Sequence, residues 1–266
     1  MWWEQQRESR EPDVRYVALG SSMAAGPGIT PRAAGAPLLA GRSARNYAHV
    51  AAQRLGADLV DVTFSGATTA HILRDPQRGS PPQSDALDGS EDLVTVTIGG
   101  NDVGYVPLLI AGSLPAWARR LPVIGNAARD LLDPVARDVA LERVAAELTA
   151  VGSVIRDRAP RARIFFVDYL TLLPPPGVAA PPLSSEVADL GRQVAARLAE
   201  LTAAAARETG CELVSAAEAS RDHHAWSAAP WTLGAGWPLP GRPQPFHPNA
   251  AGMRAVADLI VAQVGP

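Results

Sequence analysis

The chain has 266 residues, 47% hydrophobic and 19% charged, with a formal net charge of −3. That is enough to bury a core in one α/β domain, and the absence of a basic block excludes nucleic acid as a partner class. A single cysteine, Cys211, excludes an intrachain disulfide and reads as a small hydrophobe opening a strand.

No apolar run of about 18 residues is present to cross a bilayer, so no integral membrane segment is expected. "MWWEQQRESREPDV" holds no apolar core of signal-peptide length, which points to a cytoplasmic protein. The whole chain, 1–266, reads as one domain, with 1–13 an irregular extension that Trp2 and Trp3 pin down.

The first predicted strand is "RYVALG" (15–20), which runs into "GSSMAAGPG". "SARNYAHVAAQRLG" follows as a helix with Ser43 placed to cap it. A strand over 57–64 leads into "FSGATT", and His71 just beyond reads as a surface or helix residue. The third strand, 92–100, opens into "IGGNDVG". Residues 103–140, with "VPLLIAGSLPAWARRLPVIG", are too apolar for a solvated linker. Val144, Leu148, Val151 and Ile155 recur at offsets of four, three and four, one face of a helix ahead of a fourth strand at 162–170.

The proline-rich stretch 174–183 is stiff. Val187, Leu190, Val194, Leu198 and Leu201 then form another helical face before a fifth strand at 211–216. Residues 221–246 carry Trp226, Trp231 and Trp237, which suit a pocket wall and a packing role equally. The last helix places Met253, Val256, Ile260 and Val264 on one side behind Asn249 as its cap.

Strand–helix alternation implies parallel pairing with right-handed crossovers. The fold class is therefore α/β: a three-layer α/β/α sandwich whose central, mainly parallel five-stranded sheet is covered on both faces. Ligands in such sheets bind beyond the carboxyl ends of the strands. The loops at those ends bring Ser21 or Ser22, Gly66 and Asn101 to one edge, and "PFHPNAAG" places His247 just before the final helix.

A hydroxyl, a histidine, an amide and a glycine N–H are the parts for acyl transfer: nucleophile, base and oxyanion donors. Each residue also has a plainer reading, as helix cap, turn glycine, turn asparagine or the residue before a capped helix. His223 and His224 beside Asp222 do not make a metal site, because adjacent side chains diverge and no further ligand is spaced to join them.

Taken in order, these blocks resemble the SGNH (GDSL-type) hydrolase superfamily of esterases and lipases. "GSSMAAGPG" is similar to the G-D-S-x-x-x-G block, "FSGATT" to the second, "IGGND" to G-x-N-D and "FHPNAAG" to the last. The resemblance implies a flavodoxin-like sandwich and hydrolysis of small-molecule or lipid-like esters through an acyl-enzyme, with no cofactor and no metal. It also implies Ser22 as nucleophile and His247 as base. The Ser22 and Gly66 N–H groups and the Asn101 amide would form the oxyanion hole.

Two positions depart from the family pattern. Ser21 replaces the aspartate before the nucleophile, and Gln244 stands where an aspartate would orient the histidine. The backbone carbonyl of Gln244 is the favoured orienter, with its side-chain oxygen and Asp222 as alternatives. Without a carboxylate the imidazole should stay near its reference pKa of about 6.5. The acyl chain is expected against residues 103–125. An acyltransferase using the same acyl-enzyme, or a non-catalytic binding protein on this fold, are the competing readings; oligomeric state and a lid at 103–140 stay open.

Overall fold

The computed structural model describes residues 14–119, 121–239 and 241–265, so the expected N-terminal extension with Trp2 and Trp3 lies outside the described residues. The chain runs β1 (Arg15–Gly20), α1 (Ser22–Ala25), α2 (Tyr47–Leu55), β2 (Asp58–Asp61), α3 (Thr69–Leu73) and β3 (Leu93–Thr97). Next come α4 (Tyr105–Ser113), α5 (Ala116–Arg119), α6 (Pro122–Leu131), α7 (Pro134–Arg158) and β4 (Arg163–Val167). The remaining elements are α8 (Ser185–Glu208), β5 (Glu212–Val214), α9 (Ala216–Ala219) and α10 (Ala250–Val264).

The strands form one five-stranded sheet in the order β2-β1-β3-β4-β5. Every pairing is parallel, with Val17 opposite Val60 on one side and Val94 on the other. The sheet is thus wholly parallel, and helices cover both faces. Val17 and Leu19 of β1 join the cluster of α3, α4, α7 and α8, whereas Tyr16 and Ala18 join that of α2 and α10. Alternation along one strand therefore feeds two cores. Both faces are apolar because both are covered.

The helical faces read from sequence pack as spaced. Val144, Leu148, Val151 and Ile155 are buried on α7, and Leu190, Val194, Leu198 and Leu201 on α8. Each such side chain contributes about 1.5–3 kcal/mol by leaving water, so a charge at Leu148 or Leu198 would open the α7–α8 layer. The strands after β1 are shorter than expected; β2 covers four residues of the 57–64 run, since beyond Asp61 the chain leaves the regular ladder, Phe64 N–H still reaching Gly20 of β1 while Ser65 N–H turns to the Ala40 carbonyl.

The cap of α2 is also different. Asn46, not Ser43, accepts the N–H of His49, while Ser43 closes a turn by accepting from Arg45. Asn249 caps α10 as expected, accepting from Ala251 and Gly252. Residues 103–140 are mostly helical, and no described helix is long and apolar enough to cross a membrane.

Candidate active site

Ser22 is the first residue of α1, where β1 ends and the chain turns sharply at the carboxyl edge. Its Oγ lies 2.8 Å from Nε2 of His247, a contact that closes 225 residues of chain. Both residues are buried, at 8% and 5% exposure. The imidazole Nδ1 is 2.8 Å from the carbonyl of Pro245. A carbonyl only accepts, so Nδ1 carries the proton and the Nε2 lone pair of the neutral ring faces the serine hydroxyl.

The orienting group is therefore the carbonyl of Pro245, not that of Gln244 nor its side chain. Asp222 is not involved either: it sits in a short 3₁₀ turn, 221–223, where its charge acts on His224. The physical cause is the backbone at Phe246, whose φ of 56° is left-handed in a residue that is not glycine. That turn swings the carbonyl two residues upstream, rather than three, under the ring. Such a conformation costs on the order of 1–3 kcal/mol, and it is held by bonds from the Phe246 N–H to the carbonyls of Leu233 and Gly234.

The rest of the histidine loop is anchored alike. Leu233 N–H donates to the His247 carbonyl, and Gln244 N–H to that of Pro27, just past the Ser22 turn. At Gly28, φ is 84° and a Cβ would stand 1.9 Å from the Arg242 carbonyl, so only glycine lets the two loops touch.

Burial dominates the imidazole's acidity. It pushes the His247 pKa below the ordinary histidine value, and the Pro245 carbonyl offsets this only in part. The expectation of a value near the reference is corrected accordingly. A carbonyl offers a partial charge where a carboxylate would offer a full one.

Three turns meet at this edge. Phe64 N–H donates to the Gly20 carbonyl, bringing the Gly66 loop to the end of β1. Asn101 Nδ2 donates to the Ala67 carbonyl at 2.8 Å, which leaves its second N–H for another acceptor. Asp102 accepts from the N–H and Oγ1 of Thr69, the latter at 2.6 Å, clamping the Asn101 turn to α3. Gly66 has φ 79°, and among the described residues neither its N–H nor that of Ser22 has a partner. Hydroxyl, imidazole and unoccupied N–H donors are together what attack on a carbonyl and capture of its oxyanion require.

Sequence reasoning did not reach two buried groups here. Gln83 brackets the end of β1, accepting from Gly20 N–H at 2.7 Å and donating to its carbonyl at 3.1 Å; nothing local marks it. Tyr169, just past β4, accepts from Gly100 N–H. A polar aromatic at a strand's carboxyl end was a usable signal.

A cavity of about 590 Å³ reaches His247 between α4 and the histidine loop. Ile110, Leu114, Pro115, Trp237 and Phe246 make its wall apolar. Of the tryptophans considered, Trp237 lines it and is 86% exposed. Trp226 instead donates to the Pro181 carbonyl, and Trp231 stacks on His223 at 4.0 Å. His71 belongs to the cap of α3, its Nδ1 against Thr68.

A profile of the GDSL-like Lipase/Acylhydrolase family matches residues 18–255. Lipase 2 of Streptomyces coelicolor is 34% identical, the match covering 96% of this chain and 87% of that protein. Among solved structures, phospholipase A1 from Streptomyces albidoflavus NA297 superposes with a TM-score of 0.78 at 23% identity, covering 95% of this chain and 99% of that one. The extracellular lipase of Streptomyces rimosus gives 0.75 at 24% identity, covering 95% and 100%.

Proposed function

This chain belongs to the GDSL-like lipase/acylhydrolase family and is an ester hydrolase, and from that premise we propose that it works by a Ser22–His247 dyad through an acyl-enzyme. The observation that carries this is the 2.8 Å contact between Ser22 Oγ and His247 Nε2, with the opposite ring nitrogen held by a carbonyl.

His247 takes the hydroxyl proton as Ser22 Oγ bonds to the ester carbonyl carbon. The oxyanion that forms is held by the N–H groups of Ser22 and Gly66 and by the free N–H of the Asn101 amide. The carbon–oxygen bond to the leaving group then breaks, and the imidazolium returns its proton to the departing alkoxide. Water, deprotonated by the same imidazole, attacks the acyl-enzyme and frees the acid and Ser22. The Pro245 carbonyl fixes the tautomer throughout but supports the imidazolium less than a carboxylate would.

The apolar cavity between α4 and Trp237 suits an uncharged hydrocarbon portion of the substrate, which supports lipid-like esters over sugar esters. Turnover of p-nitrophenyl esters of graded chain length, by wild type and Ser22→Ala, tests this reading. Hydrolysis that disappears in the variant is expected. Equal rates in the two proteins would overturn the dyad.

A further inference from the structure

Tyr169 follows β4, and its hydroxyl lies between two loops that the proposed chemistry uses. The phenol oxygen accepts the Gly100 N–H at 2.9 Å and lies 3.3 Å from Ser21 Oγ. Gly100 and Ser21 are each one residue ahead of a proposed oxyanion donor: Gly100 precedes Asn101, and Ser21 precedes Ser22. One oxygen thus bridges the turn that carries the Ser22 N–H and the turn that carries the Asn101 amide.

We infer that Tyr169 is a positioning residue that sets the spacing of the oxyanion donors, an inference that rests on the dyad reading above. Three observations support it. The tyrosine is buried together with Ser21, so neither hydroxyl has bulk water as a substitute partner. Its ring lies directly on the Gly100 peptide: a Cβ at Gly100 would come within 2.6 Å of the ring and its hydroxyl, so a glycine is needed for the contact. Burial also pushes the phenol up to about 12, which keeps it a neutral O–H through any working pH.

The Gly100 N–H can only donate, so the phenol oxygen accepts there, while the contact with Ser21 joins two hydroxyls, each able to donate or accept. Ser21 N–H in turn donates to the Thr97 carbonyl at 2.9 Å, which fixes the serine turn to β3 independently of the tyrosine. What the tyrosine adds is the link to Gly100. Because a misplacement of about 1 Å can cost up to about a hundredfold in rate, a lost bridge should be read in turnover rather than in binding.

This also accounts for the departure at position 21. A serine there meets the tyrosine hydroxyl without placing a charge in a buried turn.

The test is steady-state hydrolysis of p-nitrophenyl esters by wild type, Tyr169→Phe, Ser21→Ala, the double variant and Ser22→Ala, with a thermal midpoint for each. Tyr169→Phe is expected to lower kcat about ten- to a hundredfold with KM unchanged. Ser21→Ala should lower it less, because its contact is the longer one, and the double variant should be no slower than Tyr169→Phe. If Tyr169→Phe does not fold, Ser21→Ala carries the test, since it keeps the ring. Unchanged kcat in folded variants, or single effects that multiply in the double, would overturn the bridge. Retained activity in Ser22→Ala would instead overturn the dyad on which it rests.

Discussion

At the amino end of the sheet the chain closes its turns with charge. Arg15 pairs with Asp88 at 2.9 Å, Arg158 with Asp85 at 2.8 Å and Arg163 with Glu212 at 2.7 Å. Glu91, buried, accepts the N–H groups of Asp88 and Gly89 within its own turn. At the carboxyl end donors are left unpaired, and apolar side chains such as Leu38, Ile110, Trp117 and Val123 face solvent. One end is finished by charges that satisfy one another; the other, assembled from β1, β3, β4 and the histidine loop, keeps donors free. Function sits at the end that the fold leaves incomplete, because a catalytic edge must keep open the hydrogen bonds and apolar contacts its substrate will make.

Substitutions at the two ends should differ in kind. The largest effect is expected for Asn101→Ala, which removes a donor from the carboxyl edge: kcat should fall about 10²–10³-fold, beside a small drop in thermal midpoint from the lost bond to the Ala67 carbonyl. A fall in stability alone would erase the distinction between the two ends.

The next effect comes from pH. In the proposed dyad His247 must be neutral to accept the serine proton, and burial sets its pKa below the ordinary value. The acid limb of kcat/KM should therefore have its midpoint below about 6.5, with about a tenfold loss per unit beneath it. The unfolded chain binds this proton more readily than the folded one, so stability too falls as pH drops from about 6.5 through the folded pKa. A midpoint above 7 in a pH–rate profile would contradict a buried, carbonyl-held imidazole.

The smallest effect belongs to the amino end. Glu212→Gln, which breaks a half-exposed pair with Arg163, should cost under about 1 kcal/mol in denaturant unfolding and leave kcat untouched.

Much of this was legible in the sequence. β1 was read with its true bounds because a fully buried central strand is an uninterrupted apolar run between clear breakers. The faces of α7 and α8 were legible through their period, Gly66 and Asn101 through their place after strands, and Ser22, rather than Ser21, and His247 through the resemblance of their blocks to the family pattern. The errors share a cause. Pro245 supplanted Gln244 because one left-handed residue shifted the carbonyl, and residue names do not report φ. Tyr169 and Gln83 matter through partners 69 and 63 residues away, a relation that neither period nor local propensity encodes.

The 225-residue span between Ser22 and His247 has a consequence for how the protein is made. At roughly 5–20 residues per second, about ten to forty-five seconds separate the synthesis of the serine from that of the histidine. During that time the nascent chain holds the proposed nucleophile without its proposed base. Because α10 packs on α2 directly behind the histidine loop, docking of that late helix both closes the second core and delivers the imidazole. Ester hydrolysis in a translation reaction would therefore keep time for the last step of folding.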